Sequence, residues 1–200
     1  TVLFVNPEVL EREGVVTVST PNSKSRKLVG CGMPRGDTRV IIVDPISRDQ
    51  LPESSVGELW ISGSSFASLY WNNPGATQQT FKAKLKGNDD STFVRTGDLG
   101  FLIDGEVFIT GRLKDLIVIR GRNQYPQDIE KTAEESIHGL RRGCNAAFGV
   151  ETGSSEQLVL VQEISESLTT SGVAAEHCRA IQEAISREHG ISCGSVILVP

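Results

Sequence analysis

Residues 111–130 read GRLKDLIVIRGRNQYPQDIE, and this stretch decides how the fold is interpreted. A short apolar run, LIVI at 116–119, lies between two Gly-Arg pairs, with Lys114-Asp115 before it and Tyr125-Pro126 after it. Four apolar residues bounded by glycine and polar residues are typical of a strand. A strand that only fills a core does not need glycine and charge at both borders. We therefore expect both ends of this strand to have a function.

The residues after this strand predict a compact α+β fold. Pro126 suits the first turn of a helix. Apolar residues recur every four positions after it, at Ile129, Ala133 and Ile137, and Gly139 is able to end the helix. The remaining predicted elements complete the order β-α-β-β-α-β. They are strands at 146–150 and 158–161 with a polar turn at 152–156, an amphipathic helix over 174–185 that Gly190 ends, and a strand at 196–199.

The first 110 residues have a different rhythm, in which short β-like runs alternate with turn residues. Asp104-Gly105 predicts a hairpin, and residues 76–81 predict a short helix after Asn73-Pro74. This pattern indicates a small β-rich barrel or sandwich. We therefore expect two domains, 1–113 and 114–200. The clearest predicted strands of the first are 15–18, 39–43, 58–61 and 106–109.

Composition excludes several classes of function. The net charge is −5 and neither part of the chain is basic, so binding to nucleic acid is not expected. The 4 cysteines form no Cys-x-x-Cys pair, which argues against a metal site and favours reduced thiols in the cytoplasm. No apolar run approaches the ~18 residues that a transmembrane helix needs.

Two glycine-containing segments resemble parts of binding sites. Residues 30–36 (GCGMPRG) look like a phosphate loop, but Pro34 and the β-like run that follows deny them a helix N-terminus, so a turn is the better interpretation. Residues 94–100 (VRTGDLG) place Asp98 in a glycine-flanked turn. Its carboxylate can accept two hydrogen bonds from a vicinal diol such as a ribose, roughly 1.5–3 kcal/mol each. A lone aspartate is more often a turn residue.

Asp98 gains support from Arg112, which follows a predicted hairpin later and can offer a planar fork of donors to phosphate or ribose oxygens. The order GELWISG, VRTGD and GRLKDLIVIRGRNQYPQDIE resembles the later core motifs of the adenylate-forming superfamily. That superfamily includes acyl- and aryl-CoA ligases, luciferases and peptide-synthetase adenylation domains. The third motif looks most like that of the fatty acyl-AMP ligases. Leu69 and Gln124 depart from that branch, where glycine and histidine are usual.

The resemblance implies a role for four residues. Asp98 would hold the ribose hydroxyls, and Arg112 would contact the nucleotide. Lys114 would be the hinge of a mobile C-terminal cap domain, and Gly121 would lie on the cap face presented to the site after rotation. Residues 1–113 would then be the β-rich, barrel-like tail of a large AMP-binding domain, and residues 114–200 most of the cap.

The resemblance also implies a reaction. A fatty acid would be activated with ATP to an acyl-adenylate, and the acyl group would pass to the phosphopantetheine thiol of an acyl carrier protein, in lipid or polyketide biosynthesis. The ligands of Mg²⁺ and the catalytic lysine, expected beyond Pro200, would lie outside this chain. The 200 residues alone are therefore expected to be inactive. The alternatives are an acyl- or aryl-CoA ligase and a non-catalytic homologue that binds adenylate.

Overall fold

The computed structural model describes residues 1–22, 25–87, 91–153, 155–164 and 171–200. The chain divides into two compact units, Thr1–Lys114 and Asp115–Pro200. The sequence-based boundary, between residues 113 and 114, lies one residue earlier. Each unit combines helices with sheets, which confirms the predicted α+β class.

The first unit is built on an antiparallel four-stranded sheet in the order β3-β4-β5-β6. A separate antiparallel pair, β1-β2, accompanies it. Among the described residues β3 and β6 are the end strands of this order and do not pair with each other, so the sheet is not a closed barrel. The elements are β1 (Val2–Val5), α1 (Pro7–Glu13), β2 (Arg26–Val29), β3 (Arg39–Val43), β4 (Gly57–Ser62), α2 (Pro74–Phe81), β5 (Val94–Ile103) and β6 (Glu106–Arg112).

The four-stranded sheet buries apolar side chains on both faces. Successive residues of a strand point to opposite faces, so the continuous apolar runs of β3 and β4 supply a core to each side. One core cluster contains Ile41, Val43, Trp60, Ala83 and Phe93, and the other contains Ile42, Leu59 and Val107.

Two local predictions in this unit are confirmed. Asp104 and Gly105 have φ angles of 50° and 75° and join β5 to β6 as a two-residue hairpin. The helix predicted at 76–81 begins two residues earlier, at Pro74. Its N-cap is Asn73, whose side-chain oxygen accepts a hydrogen bond from the backbone N–H of Ala76 at 3.1 Å.

The strand predicted at residues 15–18 is wrong. Val15 forms an isolated bridge with Ser55, whereas Val18 forms one with Val5. The two ends of the segment thus pair with different parts of the chain, and no continuous ladder develops. An apolar run fixes the tendency to extend, but its partners depend on distant residues.

The second unit contains one strand more than predicted. Residues 122–124 (RNQ) form β8, which pairs with β7 through a two-residue turn at Arg120 and Gly121, with φ angles of 52° and 74°. The polar sequence of β8 has no apolar alternation, which explains why it was missed. The elements are β7 (Ile117–Ile119), β8 (Arg122–Gln124), α3 (Pro126–Ser136), β9 (Leu140–Thr152), β10 (Ser155–Ile164), α4 (Ser171–His189) and β11 (Cys193–Val199).

A three-stranded sheet in the order β11-β10-β9 forms the centre of this unit. β9 and β10 are antiparallel, and β10 and β11 are parallel, joined through α4. Ser154, in the turn predicted at 152–156, lies outside the described residues. The predicted helix start at Pro126 and the end before Gly190 are confirmed. The core side chains include Ile117, Ile119, Ile129, Ala133, Leu158, Leu160, Ile181 and Ile185.

In the described part of the chain, no helix is both long and apolar enough to span a membrane. The cysteines Cys31, Cys144, Cys178 and Cys193 are free thiols.

A histidine connects the two helices of the second unit. Nε2 of His189, the last residue of α4, lies 2.8 Å from Oγ1 of Thr132 on α3, and the Thr132 hydroxyl donates to the carbonyl oxygen of Asp128 at 3.0 Å. Burial lowers the pKa of His189 from its ordinary value, and the nearby carboxylates of Asp128 and Glu188 only partly oppose this.

The second unit is expected to lose stability in mild acid through His189. The folded state binds the His189 proton less tightly than the unfolded chain does. The contribution of neutral His189 to the free energy of unfolding is therefore fully present above the unfolded pKa of about 6.5, and it is lost as pH falls toward the folded pKa. His189→Gln removes this titration. The free energy of unfolding, followed by far-ultraviolet circular dichroism, should therefore fall less in the variant than in the wild type between about pH 7 and pH 5. The control is His138→Gln at an exposed position. Equal slopes for His189→Gln and the wild type would refute the prediction.

Candidate functional site

The site is built on a bulge in β5. Across the β4–β5 ladder, Trp60 is opposite Arg95 and Glu58 is opposite Leu99, so three residues of β5 face a single residue of β4. These three are Thr96, Gly97 and Asp98. Such a bulge bends the strand and re-aims its side chains. Gly97 has a φ of 75°, in the left-handed region where a side chain is strained, which explains the glycine before Asp98.

Asp98 and Arg112, the two residues predicted to bind nucleotide, lie side by side. They are directly opposite each other in the β5–β6 ladder. Nε of Arg112 donates to Oδ1 of Asp98 at 2.9 Å. The two side chains retain 56% and 28% of their exposure, Arg112 the more exposed, so this ion pair is open to solvent and to a ligand.

A buried carboxylate below the bulge was not predicted to matter. Glu58 on β4 is 1% exposed and pairs with Arg95. Nη2 of Arg95 donates to Oε2 of Glu58 at 2.6 Å, and Nε of Arg95 lies 2.9 Å from the same oxygen. The indole Nε1 of Trp60 donates to Oε2 as well, at 2.9 Å. The signal in the sequence was an acidic residue directly before the apolar run Leu59-Trp60-Ile61 of a predicted strand.

Further hydrogen bonds fix the backbone of the bulge to β4. The N–H of Gly97 donates to Oε1 of Glu58 at 3.2 Å. The hydroxyl of Thr96 donates to the carbonyl oxygen of Leu59 at 2.8 Å and accepts from the N–H of Asp98 at 3.0 Å. The peptide groups on both sides of Gly97 are therefore held, and with them the position of the Asp98 carboxylate.

Lys114 and Gly121 lie in different units. Lys114 is exposed in a 3₁₀ turn, Leu113–Asp115, and is the last residue of the first unit. Gly121 belongs to the second unit, in the turn between β7 and β8. A Cβ atom added there would meet no heavy atom within 4 Å, so the positive φ alone favours glycine.

The segment at residues 30–36 is not followed by a helix. Its backbone pairs with β6 instead, because the N–H of Cys31 donates to the carbonyl oxygen of Val107 at 2.8 Å and the N–H of Val107 donates to that of Gly32 at 3.0 Å. This geometry confirms that the segment lacks the helix N-terminus of a phosphate loop.

Curated relatives cover nearly all of the chain. It is 44% identical over 200 residues to the medium-chain-fatty-acid–[acyl-carrier-protein] ligase JamA of Moorena producens, across 99% of this chain and 34% of that protein. It is 40% identical over 181 residues to the putative fatty-acid–CoA ligase FadD21 of Mycobacterium tuberculosis, across 86% of this chain and 30% of that protein. The chain thus spans about a third of the length of these relatives. No protein-family model matches it.

The solved structures that this chain resembles include fatty acyl-adenylate ligases. One from work on the fatty acyl-adenylate ligases of E. coli and L. pneumophila matches with a TM-score of 0.84 and 28% identity, over 100% of this chain and 34% of that one. The L. pneumophila fatty acyl-adenylate ligase in complex with acyl adenylate and pyrophosphate matches with a TM-score of 0.56 and 33% identity, over 100% of this chain and 35% of that one. The chain belongs to the adenylate-forming superfamily. Within that superfamily it is most like the fatty acyl-AMP ligases.

The bulge is expected to depend on glycine at position 97. Gly97→Ala places a side chain at a φ of 75°, with no heavy atom within 4 Å of the new Cβ, so the cost comes from the backbone alone. We expect a loss of about 1–2 kcal/mol in the free energy of unfolding, measured by denaturant titration.

Gly75→Ala is the matched control. Gly75 lies in α2, and its added Cβ would come no closer than 3.9 Å to Oδ1 of Asn73. Alanine favours a helix over glycine, so this variant should be neutral or slightly stabilised. Equal stabilities of the two variants would contradict the strain assigned to position 97.

Proposed function

We propose that the protein carrying this chain is an ATP-dependent fatty acyl-AMP ligase. The observation that carries the proposal is the Asp98–Arg112 pair on a bulge, at the positions of the motifs that adenylate-forming enzymes share. In the first step a carboxylate oxygen of the fatty acid attacks the α-phosphorus of ATP, which gives the acyl-adenylate and releases pyrophosphate. In the second step the thiol of a carrier-protein phosphopantetheine attacks the acyl carbon, and AMP leaves.

In this proposal Asp98 and Arg112 hold the nucleotide through both steps. The Asp98 carboxylate accepts hydrogen bonds from the two ribose hydroxyls, and the Arg112 guanidinium donates to ribose or phosphate oxygens. The hydrogen bonds to Asp98 and those from Arg112 are charge-assisted and therefore roughly twice as strong as neutral ones. Phosphoryl chemistry depends mainly on positioning and electrostatic stabilisation, so a fixed nucleoside contributes to the rate without taking part in bond formation.

The described residues do not fit a Mg²⁺ site. They contain no group of three or more His, Cys, Asp or Glu residues able to hold a metal ion, and Asp98 is already paired with Arg112. We therefore assign no residue of the described chain to Mg²⁺. We also assign it no catalytic residue that acts on the reacting atoms.

We further propose that Lys114 is the hinge of a mobile cap and that Gly121 lies on the cap face that reaches the site after rotation. Lys114 supports this role because it is exposed, lies in a short 3₁₀ turn and ends the first compact unit. A few residues at the end of an element typically absorb the φ/ψ change of a hinge. Gly121 supports its role because a turn residue without a side chain permits close approach of another molecule.

A carrier-protein acceptor is favoured over free CoA by the relative JamA, which is named as an acyl-carrier-protein ligase. The relative FadD21, named as a putative CoA ligase, supports the alternative. A competition assay distinguishes the two classes: the full-length protein is given ATP, a labelled fatty acid, carrier protein and CoA, and the acceptor that receives the labelled acyl group is identified. A non-catalytic homologue would transfer to neither. The free thiols of the described residues favour a cytoplasmic location.

Removal of the Asp98 carboxylate should impair use of ATP. We expect Asp98→Ala in the full-length protein to lower kcat/KM for ATP by an amount equivalent to about 2–4 kcal/mol, because two charge-assisted hydrogen bonds are lost. Fatty-acid-dependent exchange of pyrophosphate into ATP measures this. The control is Asp49→Ala, which removes an exposed carboxylate paired with Lys86. Kinetics of Asp98→Ala within about threefold of wild type would exclude the assignment.

Restriction of φ at residue 114 should separate the two half-reactions. Lys114→Pro fixes φ near −65° and removes a backbone donor, so it should favour one cap orientation. We expect one half-reaction, adenylate formation or acyl transfer, to be retained better than the other, measured separately by pyrophosphate exchange and single-turnover transfer. Lys114→Ala leaves φ free and should affect both steps little. Equal losses in both steps by a folded Lys114→Pro variant would remove the support for a hinge.

A further inference from the structure

We propose that Glu58 and Arg95 form a positioning pair, which holds the bulge at Thr96–Asp98 so that the Asp98 carboxylate is preset for the ribose. Neither residue touches the nucleotide in this proposal, and both act through Asp98. The inference rests on the function proposed above and names a specific support for the same site.

Glu58 accepts hydrogen bonds from residues in and beside the bulge. Its two oxygens accept from the Arg95 guanidinium, the Trp60 indole and the Gly97 backbone N–H at 2.6–3.2 Å. The Arg95 guanidinium also lies 5.6 Å from the centre of the Trp60 ring. The acid therefore joins three neighbours, of which only Gly97 belongs to the bulge itself.

Burial of a charge at position 58 has an energetic cost. Burial of the Glu58 carboxylate carries a desolvation cost that its attraction to the half-buried Arg95 guanidinium must offset, and apolar residues of similar volume often stabilise a fold equally well. An apolar side chain at position 58 would satisfy the packing of β4, but it would leave the N–H of Gly97 without this acceptor. The acceptor oxygens at position 58 are thus needed by the donors around them, the Gly97 N–H of the bulge included, and not by the packing of the core.

Gly97 and Asp98 are adjacent in the chain, so a contact that fixes Gly97 also fixes the position of Asp98. Gly97 directly precedes Asp98, and the N–H of Asp98 is held by the hydroxyl of Thr96, which is itself bound to Leu59 on β4. If the Glu58 contact to Gly97 is lost, the left-handed residue is released on one side and Asp98 shifts. A misplacement of about 1 Å in a positioned group can cost on the order of 10²-fold in rate.

A double-mutant cycle in the full-length protein tests the proposal. Glu58→Gln keeps the shape of the side chain and removes its charge. We expect it to lower kcat/KM for ATP about tenfold, mostly through KM, because charged hydrogen bonds become neutral ones. In an Asp98→Asn background the same substitution should change kcat/KM less than about twofold, since a residue that acts only through Asp98 has no effect once Asp98 is changed.

Two further variants keep the test decisive. Glu163→Gln removes a more exposed Glu–Arg pair, with Arg141 in the second unit, and should leave the kinetics unchanged. Trp60→Phe removes the indole donor to Glu58 together with part of a buried core ring, and we expect a fall of about threefold, again absent in the Asp98→Asn background. It replaces Glu58→Gln in the cycle if that variant does not fold.

The outcomes separate this inference from the proposed function. Equal effects of Glu58→Gln in both backgrounds, or a lowered melting temperature with unchanged KM for ATP, would overturn the positioning role and leave the function intact. An Asp98→Asn variant with wild-type KM for ATP would instead overturn the nucleotide assignment on which the inference depends.

Discussion

The ion pair between the buried Glu58 and the half-buried Arg95 is the interaction on which the geometry of the first unit's site depends. Charges that are withdrawn from water are retained only where their geometry is good and their hydrogen bonds are satisfied. Here the requirement is met by a second N–H group of Arg95, by the Trp60 indole and by the Gly97 amide, all of which donate to Glu58. The same bonds fix a bulge that would otherwise weaken the β4–β5 ladder. Asp98, which is more exposed, takes its position from this buried network, and the Asp98–Arg112 pair takes its position from Asp98.

Sequence reasoning succeeded where local physics is decisive. The Asp104-Gly105 hairpin and the helix start at Pro126 depend on the conformational limits of glycine and proline, which act within a few residues. It failed where the outcome depends on distant partners. Residues 15–18 divide between two partners, and the polar strand β8 exists because its turn directs it back along β7.

The candidate site divides in the same way. Asp98 and Arg112 were predicted from motifs and lie opposite each other, because one hairpin connects their strands. The role of Glu58 could not be inferred from spacing. Its contact to Gly97 spans β4 and β5 and requires the register shift between Glu58 and Trp60, which no local pattern encodes. Residues that bind ligand are often visible in a sequence, whereas the residues that hold them are set by tertiary register.

Fatty-acid-dependent exchange of pyrophosphate into ATP by the full-length protein tests the central claim most directly. Exchange requires reversible formation of an acyl-adenylate, so it reports the proposed first step without any assumption about the acyl acceptor. We expect exchange that depends on a fatty acid and is strongly reduced when the Asp98 carboxylate is removed. A folded full-length protein that binds ATP but shows no exchange with fatty acids of any chain length would contradict it.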